Sequence, residues 1–378
     1  MDGTPGRGGG ALRPRRLSAG TGRRVMSRFR PEVEAMAAYT MREGGFPVKV
    51  NQNEAPWDWP AEFKEEAARL VEATAFHRYP PFDEAALTAA LADRWGLEPA
   101  SVLVGNGSNE LLQALFLAAL GPRRTACLPS PSFALYGQLA LLSGARTVEV
   151  PMAPDLAYDP SAWRAAVRRE RPEVLLLCSP NNPTGTCFPA GSLEVLLDEA
   201  SGLVVVDEAY AEFSGEESAR RLLPRRENLV VLRTFSKAWA GAGLRLGYAL
   251  AAPSAAVQLR KALLPYNVSP LTAGLGALAL RHAGWFEERV RRIVAERERL
   301  RAALRRLPGL AVYPSEANFF LVRLAGREAG RIHAELKARG VLVRDVSRYP
   351  MLEGCLRLSV GTPAENEAVV KALSEVLS

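Results

Sequence analysis

The stretch that decides the fold reads Thr234-Phe235-Ser236-Lys237-Ala238-Trp239-Ala240-Gly241-Ala242-Gly243-Leu244-Arg245. Lys237 is its only lysine and lies among small and apolar residues. Apolar surroundings lower the pKa of a lysine, and the uncharged amine is then a nucleophile that can form a Schiff base. Ser236 and Arg245 supply a hydroxyl and a permanent cation, the groups that a phosphate monoester requires. Lys237 by itself is also compatible with a surface lysine before a glycine-rich loop.

Continuous apolar runs predict strands that are buried on both faces. The predicted strands are residues 102–105, 174–178, 203–206 and 229–232. Helical segments between them, such as residues 110–120, favour a mostly parallel sheet. After Pro265 the pattern changes to a long charged helix over residues 285–307, a helix over 328–339, a closing helix, and short strands at 319–322, 341–343 and 356–360. The sequence therefore predicts an α/β fold, with a mostly parallel sheet flanked by helices and a smaller α+β domain.

The net charge of +7 belongs to the N-terminal tail. Residues 1–30 contain eight arginines and one aspartate, so basic and acidic residues balance in the remainder. Residues 1–29 are predicted to be a disordered basic tail. A start at Met26 or a transit peptide would also explain this composition. Because the charge is not on the folded part, we expect no nucleic-acid partner.

Other classes of function are disfavoured by what the chain contains. Its longest apolar candidate, residues 111–120, is about half the roughly 20 residues that a membrane span needs, so no membrane insertion is expected. The cysteines and histidines show neither CxxC spacing nor a metal-ligand motif, so we expect no metal site and no disulfide. They are Cys127, Cys178, Cys187, Cys355, His77, His282 and His333. A reducing cytoplasm fits this cysteine usage.

Polar residues follow the predicted strands, where open parallel sheets bind their ligands. Gly107-Ser108-Asn109 ends one strand and opens a helix, which suits phosphate, although a simple helix N-cap is the alternative. Asn182 lies in a proline-rich turn after residues 174–178, and turn chemistry alone would explain it. Asp207 follows residues 203–206 and needs a partner if buried. That partner is either a protonated ring nitrogen, which makes the ring an electron sink, or a structural salt bridge.

Together these residues predict a site for pyridoxal phosphate. Lys237 is assigned to the cofactor aldehyde and Asp207 to the pyridinium nitrogen, while Asn182 and Tyr210 are assigned to the ring hydroxyl oxygen. Tyr136 is assigned to the ring face, with a buried core tyrosine as the alternative. The phosphate is assigned to Gly107, Ser108, Asn109, Ser236 and Arg245. The predicted catalytic residues are Lys237, Asp207 and Tyr210.

From about Pro31 to its C terminus, the chain resembles the fold-type I aminotransferases, and most closely the histidinol-phosphate aminotransferase family. The motifs that carry the resemblance occur in the family's order. They are Asn53-Glu54-Ala55-Pro56, Arg78-Tyr79-Pro80, Gly105-Asn106-Gly107-Ser108-Asn109-Glu110, Asn182-Pro183-Thr184-Gly185, Asp207-Glu208-Ala209-Tyr210, Ser236-Lys237 with Arg245, and Cys355-Leu356-Arg357-Leu358-Ser359-Val360-Gly361-Thr362. One departure lies beside Lys237, where Trp239-Ala240-Gly241 replaces the family's common Phe-Gly-Leu.

The resemblance implies roles for residues that the chemistry above does not reach. It implies a homodimer in which Tyr79 contacts the cofactor phosphate of the other subunit. Arg357 would bind the substrate carboxylate and Arg344 its distal acidic group, with Tyr39 and Asn53 also assigned to substrate. The implied domains are residues 30–54 as an N-terminal arm and part of the small domain, 55–267 as the large cofactor domain, and 268–378 as the small domain.

The implied reaction is ping-pong transfer of an amino group between histidinol phosphate and 2-oxoglutarate/glutamate, in cytoplasmic histidine biosynthesis. Three alternatives stay open on the sequence. The first is an aromatic or broad-range aminotransferase, and the second is a threonine-phosphate decarboxylase that keeps the cofactor. The third is a transcription regulator that senses the cofactor, which would need a DNA-binding domain where this chain has a short polar tail.

Overall fold

The computed structural model describes residues 28–36, 45–80 and 84–378. Residues 28–36 belong to a unit of their own, Met1–Thr40, in which helix α1 spans Pro31–Ala35. All other elements belong to a second unit, Met41–Ser378. Tyr39, which was assigned to substrate, lies outside the described residues. In the described part of the chain, no helix is both long enough and apolar enough to cross a membrane.

The second unit contains strands and helices in alternation. Its strands are β1 (Val48–Lys49), β2 (Val102–Gly105), β3 (Thr125–Ser130), β4 (Arg146–Pro151), β5 (Val174–Cys178), β6 (Leu203–Asp207), β7 (Leu229–Thr234), β8 (Gly247–Ala251), β9 (Leu310–Val312), β10 (Phe319–Leu324), β11 (Val341–Leu342), β12 (Arg344–Asp345) and β13 (Cys355–Ser359). Its helices are α2 (Ala61–Ala73), α3 (Ala85–Trp95), α4 (Ser108–Ala119), α5 (Leu135–Ser143), α6 (Pro160–Glu170), α7 (Ala190–Glu199), α8 (Pro253–Arg260), α9 (Pro270–Arg281), α10 (Ala283–Leu304), α11 (Ala329–Ala338) and α12 (Pro363–Leu377). Short 3-10 turns lie at Pro99–Ser101, Ala211–Phe213, Ala219–Arg225 and Ala242–Leu244.

A seven-stranded sheet with the order β2-β8-β7-β6-β5-β3-β4 forms the centre of this unit. Strand β8 runs antiparallel to both its neighbours, and the other strand pairs are parallel. Side chains alternate between two apolar clusters, so that Leu175 and Leu177 face one cluster while Leu176 faces the other. Helices cover both faces, which explains the continuous apolar runs. The predicted fold class is confirmed.

In the central sheet, the predicted strands agree closely with the structure, and two of them continue further. The run 203–206 extends to Asp207, whose carbonyl accepts from the Ser179 amide, and the run 229–232 extends to Thr234, which pairs with Gly247 of β8. Of the strands in this sheet, β3, β4 and β8 were not predicted. β4 is an edge strand with mostly exposed side chains, and its sequence therefore has no apolar run.

A second sheet, with the order β12-β13-β10-β9, is antiparallel throughout. Strand β1 pairs in parallel with β11 and thereby joins residues 48–49 to the C-terminal third of the chain. Helix α12 begins with a capping box, in which Thr362 and Glu365 each satisfy the other's backbone amide. The predicted boundary between residues 267 and 268 stays a prediction.

Leu176 provides a test of the central sheet. It is 0% exposed in β5, whereas Leu117 on α4 is 60% exposed. Leu176→Ala should lower the free energy of unfolding by about 3 kcal/mol, because the deletion leaves a cavity between close-packed neighbours. The matched control Leu117→Ala should change it by less than about 0.5 kcal/mol. Urea denaturation followed by circular dichroism measures both values, and equal losses would contradict the described packing.

Candidate active site

Lys237 lies in the loop that follows β7, with its side chain half-buried. Its Nζ donates a hydrogen bond to the Gln52 carbonyl at 2.9 Å and lies 6.0 Å from the centre of the Tyr210 ring. Burial, reinforced by the Arg357 cation, lowers the pKa of the Lys237 amine to about 7. A large fraction of this amine is therefore uncharged at neutral pH and can act as a nucleophile or a base.

Asp207 ends β6 as a buried carboxylate. The Tyr136 hydroxyl donates to its Oδ2 at 2.8 Å, and the Ala209 amide donates to its Oδ1 at 3.0 Å. Burial raises the pKa of the Asp207 carboxyl, while these two hydrogen bonds oppose the rise. Within the described residues, no lysine, arginine or histidine forms an ion pair with it. The site thus offers a buried carboxylate that a cationic ligand atom would stabilise, and the salt-bridge alternative finds no partner.

The residues assigned to the phosphate form a corner where helix α4 meets the loop after β7. Gly107 caps α4 with a φ of 78° and no side-chain cap, so the simple N-cap alternative for Ser108 and Asn109 is wrong. The Arg245 guanidinium occupies the adjoining space, since a Cβ on Gly107 would lie 2.5 Å from its Nη2. Its Nη1 lies 3.4 Å from the Ser236 hydroxyl. A guanidinium, a hydroxyl and the positive end of a helix together suit a phosphate.

Arg357 lies on β13 and is 8% exposed. Its Nη2 donates to the Asn51 carbonyl at 2.7 Å, and its Nη1 donates to the Asn182 side-chain oxygen. Arg344 on β12 is directly opposite Arg357 in the antiparallel register. Side chains that are paired across antiparallel strands share a face of the sheet. The two arginines assigned to substrate are therefore on the same face of the second sheet.

Tyr210 is held by Asn53, the remaining described residue that was assigned to substrate. The Asn53 Nδ2 donates to the Tyr210 hydroxyl at 3.1 Å. Ser359 fixes Asn53 in place, because its hydroxyl accepts from the Asn53 backbone amide at 2.8 Å and donates to the Asn53 Oδ1 at 3.0 Å. Burial raises the pKa of the Tyr210 hydroxyl to about 12. The hydroxyl therefore keeps its proton at neutral pH and can donate a hydrogen bond.

Residues 51–53 join these parts, and two of their contacts could not be predicted. The carbonyl of Asn51 holds Arg357, the carbonyl of Gln52 holds Lys237, and the Asn53 side chain holds Tyr210. Sequence analysis identified Asn53 but not Asn51 or Gln52, because a backbone carbonyl leaves no trace in residue type. It also did not identify Ser359, although that residue lies within the motif around Arg357.

Trp239 lies where this loop differs from the Phe-Gly-Leu that is common in the family it resembles. The Trp59 indole donates to the Trp239 carbonyl at 3.0 Å, and the Trp239 ring packs against Phe235 and Phe286 at 5.2 and 5.3 Å. Trp239 is 2% exposed. The larger ring is thus accommodated inside the core, on the side of the loop that faces α10.

Tyr79 stands apart from the other predicted residues. It is 82% exposed, and its ring stacks on Tyr266 at 4.8 Å between centroids. Its assigned contact with cofactor phosphate was predicted for a second subunit and stays a prediction.

Known proteins are similar to this chain over most of its length. The family model described as aminotransferase class I and II matches residues 47–373. The chain belongs to this family. A curated member, histidinol-phosphate aminotransferase from Chlorobaculum tepidum, is 40% identical over 92% of this chain and 99% of its own length.

Solved structures of similar proteins agree with the fold. Histidinol-phosphate aminotransferase from Sinorhizobium meliloti, in complex with pyridoxal-5'-phosphate, matches with a TM-score of 0.84 at 26% identity, over 94% of this chain and 98% of that one. L-threonine-O-3-phosphate decarboxylase from Porphyromonas gingivalis matches with a TM-score of 0.76 at 28% identity, over 87% of this chain and 99% of that one.

The depressed pKa of Lys237 can be measured directly. An amine with a pKa of about 7 goes from mostly charged to mostly uncharged between pH 6 and pH 8, so its acetylation rate should rise roughly tenfold over that interval and then level off. Acetic anhydride labelling of the apoprotein, quantified by mass spectrometry, tests this. A lysine model peptide gives the reference profile of an unperturbed amine. A Lys237 profile that keeps rising in parallel with that of the peptide up to pH 9 would contradict the assignment.

Proposed function

We propose that the protein is a pyridoxal-phosphate-dependent histidinol-phosphate aminotransferase, which moves an amino group between histidinol phosphate and 2-oxoglutarate/glutamate in histidine biosynthesis. The observation that carries the proposal is that adjacent backbone carbonyls hold the half-buried Lys237 and Arg357, with Arg344 on the same sheet face as Arg357. The 40% identity to the Chlorobaculum tepidum enzyme, over nearly all of both chains, supports the same substrate.

The described residues fit the cofactor. Asp207 is a buried carboxylate that pairs with no cation among the described residues, which suits a protonated pyridine nitrogen. Gly107, Ser236 and Arg245 form a corner that suits the phosphate, and Ser108 and Asn109 add the first amides of α4. Tyr210 and Asn182 are assigned to the ring oxygen. When bound, pyridoxal phosphate supplies an electron-accepting ring that stabilises negative charge developing at the substrate Cα.

The protein's own groups provide binding and proton transfer. Lys237 Nζ, with its pKa of about 7, accepts a proton from the substrate Cα and can return it. The Asp207 carboxylate holds a proton on the ring nitrogen, and the bond from the Tyr136 hydroxyl keeps that carboxylate in place. The Tyr210 hydroxyl accepts a hydrogen bond from Asn53 and keeps its own proton at neutral pH, so it can also donate to an acceptor in the site. Each of these groups is oriented by a contact from another segment, so little reorganisation accompanies the reaction.

Two acidic substrates must share one pocket. Glutamate carries two carboxylates, whereas histidinol phosphate carries a phosphate, and both need cations at the same place. The planar guanidinium of Arg357 can bind such a group through two parallel hydrogen bonds. Arg344, on the same sheet face, supplies a second guanidinium. The Asn51 carbonyl and the Asn182 side chain orient Arg357 for this role.

A homodimer completes the proposal. Several large apolar side chains around the end of α2 and the segment before α9 are exposed. They are Phe76 at 70%, Tyr79 at 82%, Leu264 at 74% and Tyr266 at 45%. A second copy of the chain is the occupant we propose for this surface, with Tyr79 reaching the phosphate of its partner. A cytoplasmic location is proposed with it, in keeping with four cysteines that form no disulfide.

Substrate preference tests the proposed function against its alternatives. Holoprotein mixed with histidinol phosphate or glutamate should lose the visible band of the lysine-bound cofactor rapidly, and phenylalanine should act far more slowly. Lys237→Ala should bind the cofactor without a covalent bond and lower turnover by roughly 10³-fold or more, since both nucleophile and base are lost. Lys64→Ala, an exposed lysine, is the control and should leave turnover unchanged.

Each alternative has its own result in that experiment. A preference for phenylalanine would indicate an aromatic aminotransferase. Release of carbon dioxide from threonine phosphate would indicate a decarboxylase, the activity of the similar Porphyromonas gingivalis enzyme. Near-normal turnover of Lys237→Ala would refute the assigned role of this lysine.

Tyr79→Phe tests the contact between subunits. Loss of one hydrogen bond to the partner's phosphate should speed cofactor dissociation about fivefold to tenfold, while the dimer seen by analytical ultracentrifugation persists. Tyr349→Phe, a half-buried tyrosine in a separate apolar cluster, is the matched control. Unchanged cofactor release from Tyr79→Phe, or a monomeric wild-type protein, would contradict the proposed contact.

A further inference from the structure

Two adjacent carboxylates stand at the end of β6, and they face opposite sides of the sheet. Asp207 follows Val205 on the side of the cluster that includes Tyr136. Glu208 follows Val206 on the side of the other cluster, because side chains alternate along a strand. The backbone amide of Glu208 continues the strand pairing, since it donates a hydrogen bond to the Leu232 carbonyl at 2.9 Å. The second carboxylate is therefore fixed behind the proposed cofactor site.

Glu208 is bound by Arg233, the next-to-last residue of β7. The Arg233 Nη2 lies 2.7 Å from the Glu208 Oε2, and both side chains are 4% exposed. The Ser218 hydroxyl donates to Glu208 at 2.7 Å and the Ala219 amide at 2.6 Å. These three donors fix the position of the Glu208 carboxylate. The mechanism derived above uses neither Arg233 nor Glu208.

The charges around this pair are few within the described residues. Arg233 also binds Glu212 at 3.0 Å, and its guanidinium lies 5.1 Å from the centre of the Trp95 ring. The titratable groups that face Asp207 are Tyr136 from α5, Cys178 from β5, Tyr158 from the segment before α6, and Tyr210 and Glu208 from its own segment. The charged groups that act on Lys237 are Arg357, Glu54, Arg245 and Lys49. Those that face Arg233 are Glu208, Glu212 and Tyr248 from β8. Arg233 is thus the cation that offsets a carboxylate one residue from Asp207.

We propose that Arg233 is a positioning residue, which balances the charge of Glu208 and so sets the electrostatic potential at Asp207 and Lys237 from the opposite face of the sheet. Without Arg233, the site would experience an uncompensated negative charge through a thin, poorly solvated layer of protein. Without Glu208, it would experience an excess positive charge. The inference rests on the proposed function, in which Lys237 and Asp207 hold pyridoxal phosphate.

The test compares Arg233→Met, Glu208→Gln and the double variant as holoproteins, by titrating the visible cofactor band with pH. Arg233→Met should raise the midpoint by about half a pH unit. The uncompensated negative charge of Glu208 favours the protonated form of the Lys237 nitrogen that is bound to the cofactor. Glu208→Gln should lower it by a similar amount. The double variant, in which charge is balanced again, should return close to the wild-type midpoint.

Arg297→Met controls for the loss of a buried arginine. Arg297 is 5% exposed and binds the carbonyls of Phe213 and Ala317 at 3.1 and 3.2 Å. Its loss should lower the melting temperature without moving the titration midpoint. A purely structural role for Arg233 predicts midpoint shifts of the same sign in both single variants and a larger effect in the double variant, which would overturn the inference.

The outcomes separate this inference from the proposed function. If the wild-type protein forms no visible band with pyridoxal phosphate, both are overturned. A band that forms but titrates identically in Glu208→Gln and wild type overturns the charge-balancing role alone. Glu208→Gln preserves the shape of the side chain, so this comparison stands even if Arg233→Met does not fold.

Discussion

The active site depends on three consecutive residues that pass between distant parts of the chain. Asn51, Gln52 and Asn53 hold Arg357, Lys237 and Tyr210, respectively. Two of these contacts use backbone carbonyls, whose positions are determined by the pairing of β1 with β11. Arg357, Lys237 and Tyr210 are therefore placed by one short piece of backbone. Displacement of that segment would disturb all three at once.

Sequence reasoning predicted the central sheet well because its strands are buried on both faces. Residues 174–178 needed nothing beyond their own apolar run to be assigned, and β5 has those bounds. β4 could not be found in this way, since an edge strand with exposed side chains has no such run. The N terminus of α4 was placed two residues late, because Ser108 and Asn109 enter the helix and Gly107 provides its cap.

In the site, residue types could be interpreted from the sequence, whereas contacts between distant segments could not. Lys237, Asp207 and Arg245 could be predicted because each residue type is unusual in its apolar or glycine-rich surroundings. Tyr136 was assigned to the ring face, and the structure shows in addition that its hydroxyl binds Asp207. The supporting role of Gln52 could not be predicted, since any residue would supply that carbonyl. Pairs such as Arg233 and Glu208 were likewise hidden, because nothing local connects residues on adjacent strands.

The long sequence separation of the site's contacts constrains how the protein acquires its activity. Asn53 bonds to Ser359 and Asn51 to Arg357, and both pairs are 306 residues apart. During synthesis, which proceeds from the N terminus, residues 51–53 can meet Tyr210 and Lys237 well before Arg357 and Ser359 have left the ribosome. The large sheet can also form earlier, since β2 to β8 are complete by residue 251. The contact with Arg357 is consequently the last part of the site to form, and a product truncated after residue 251 would lack that arginine.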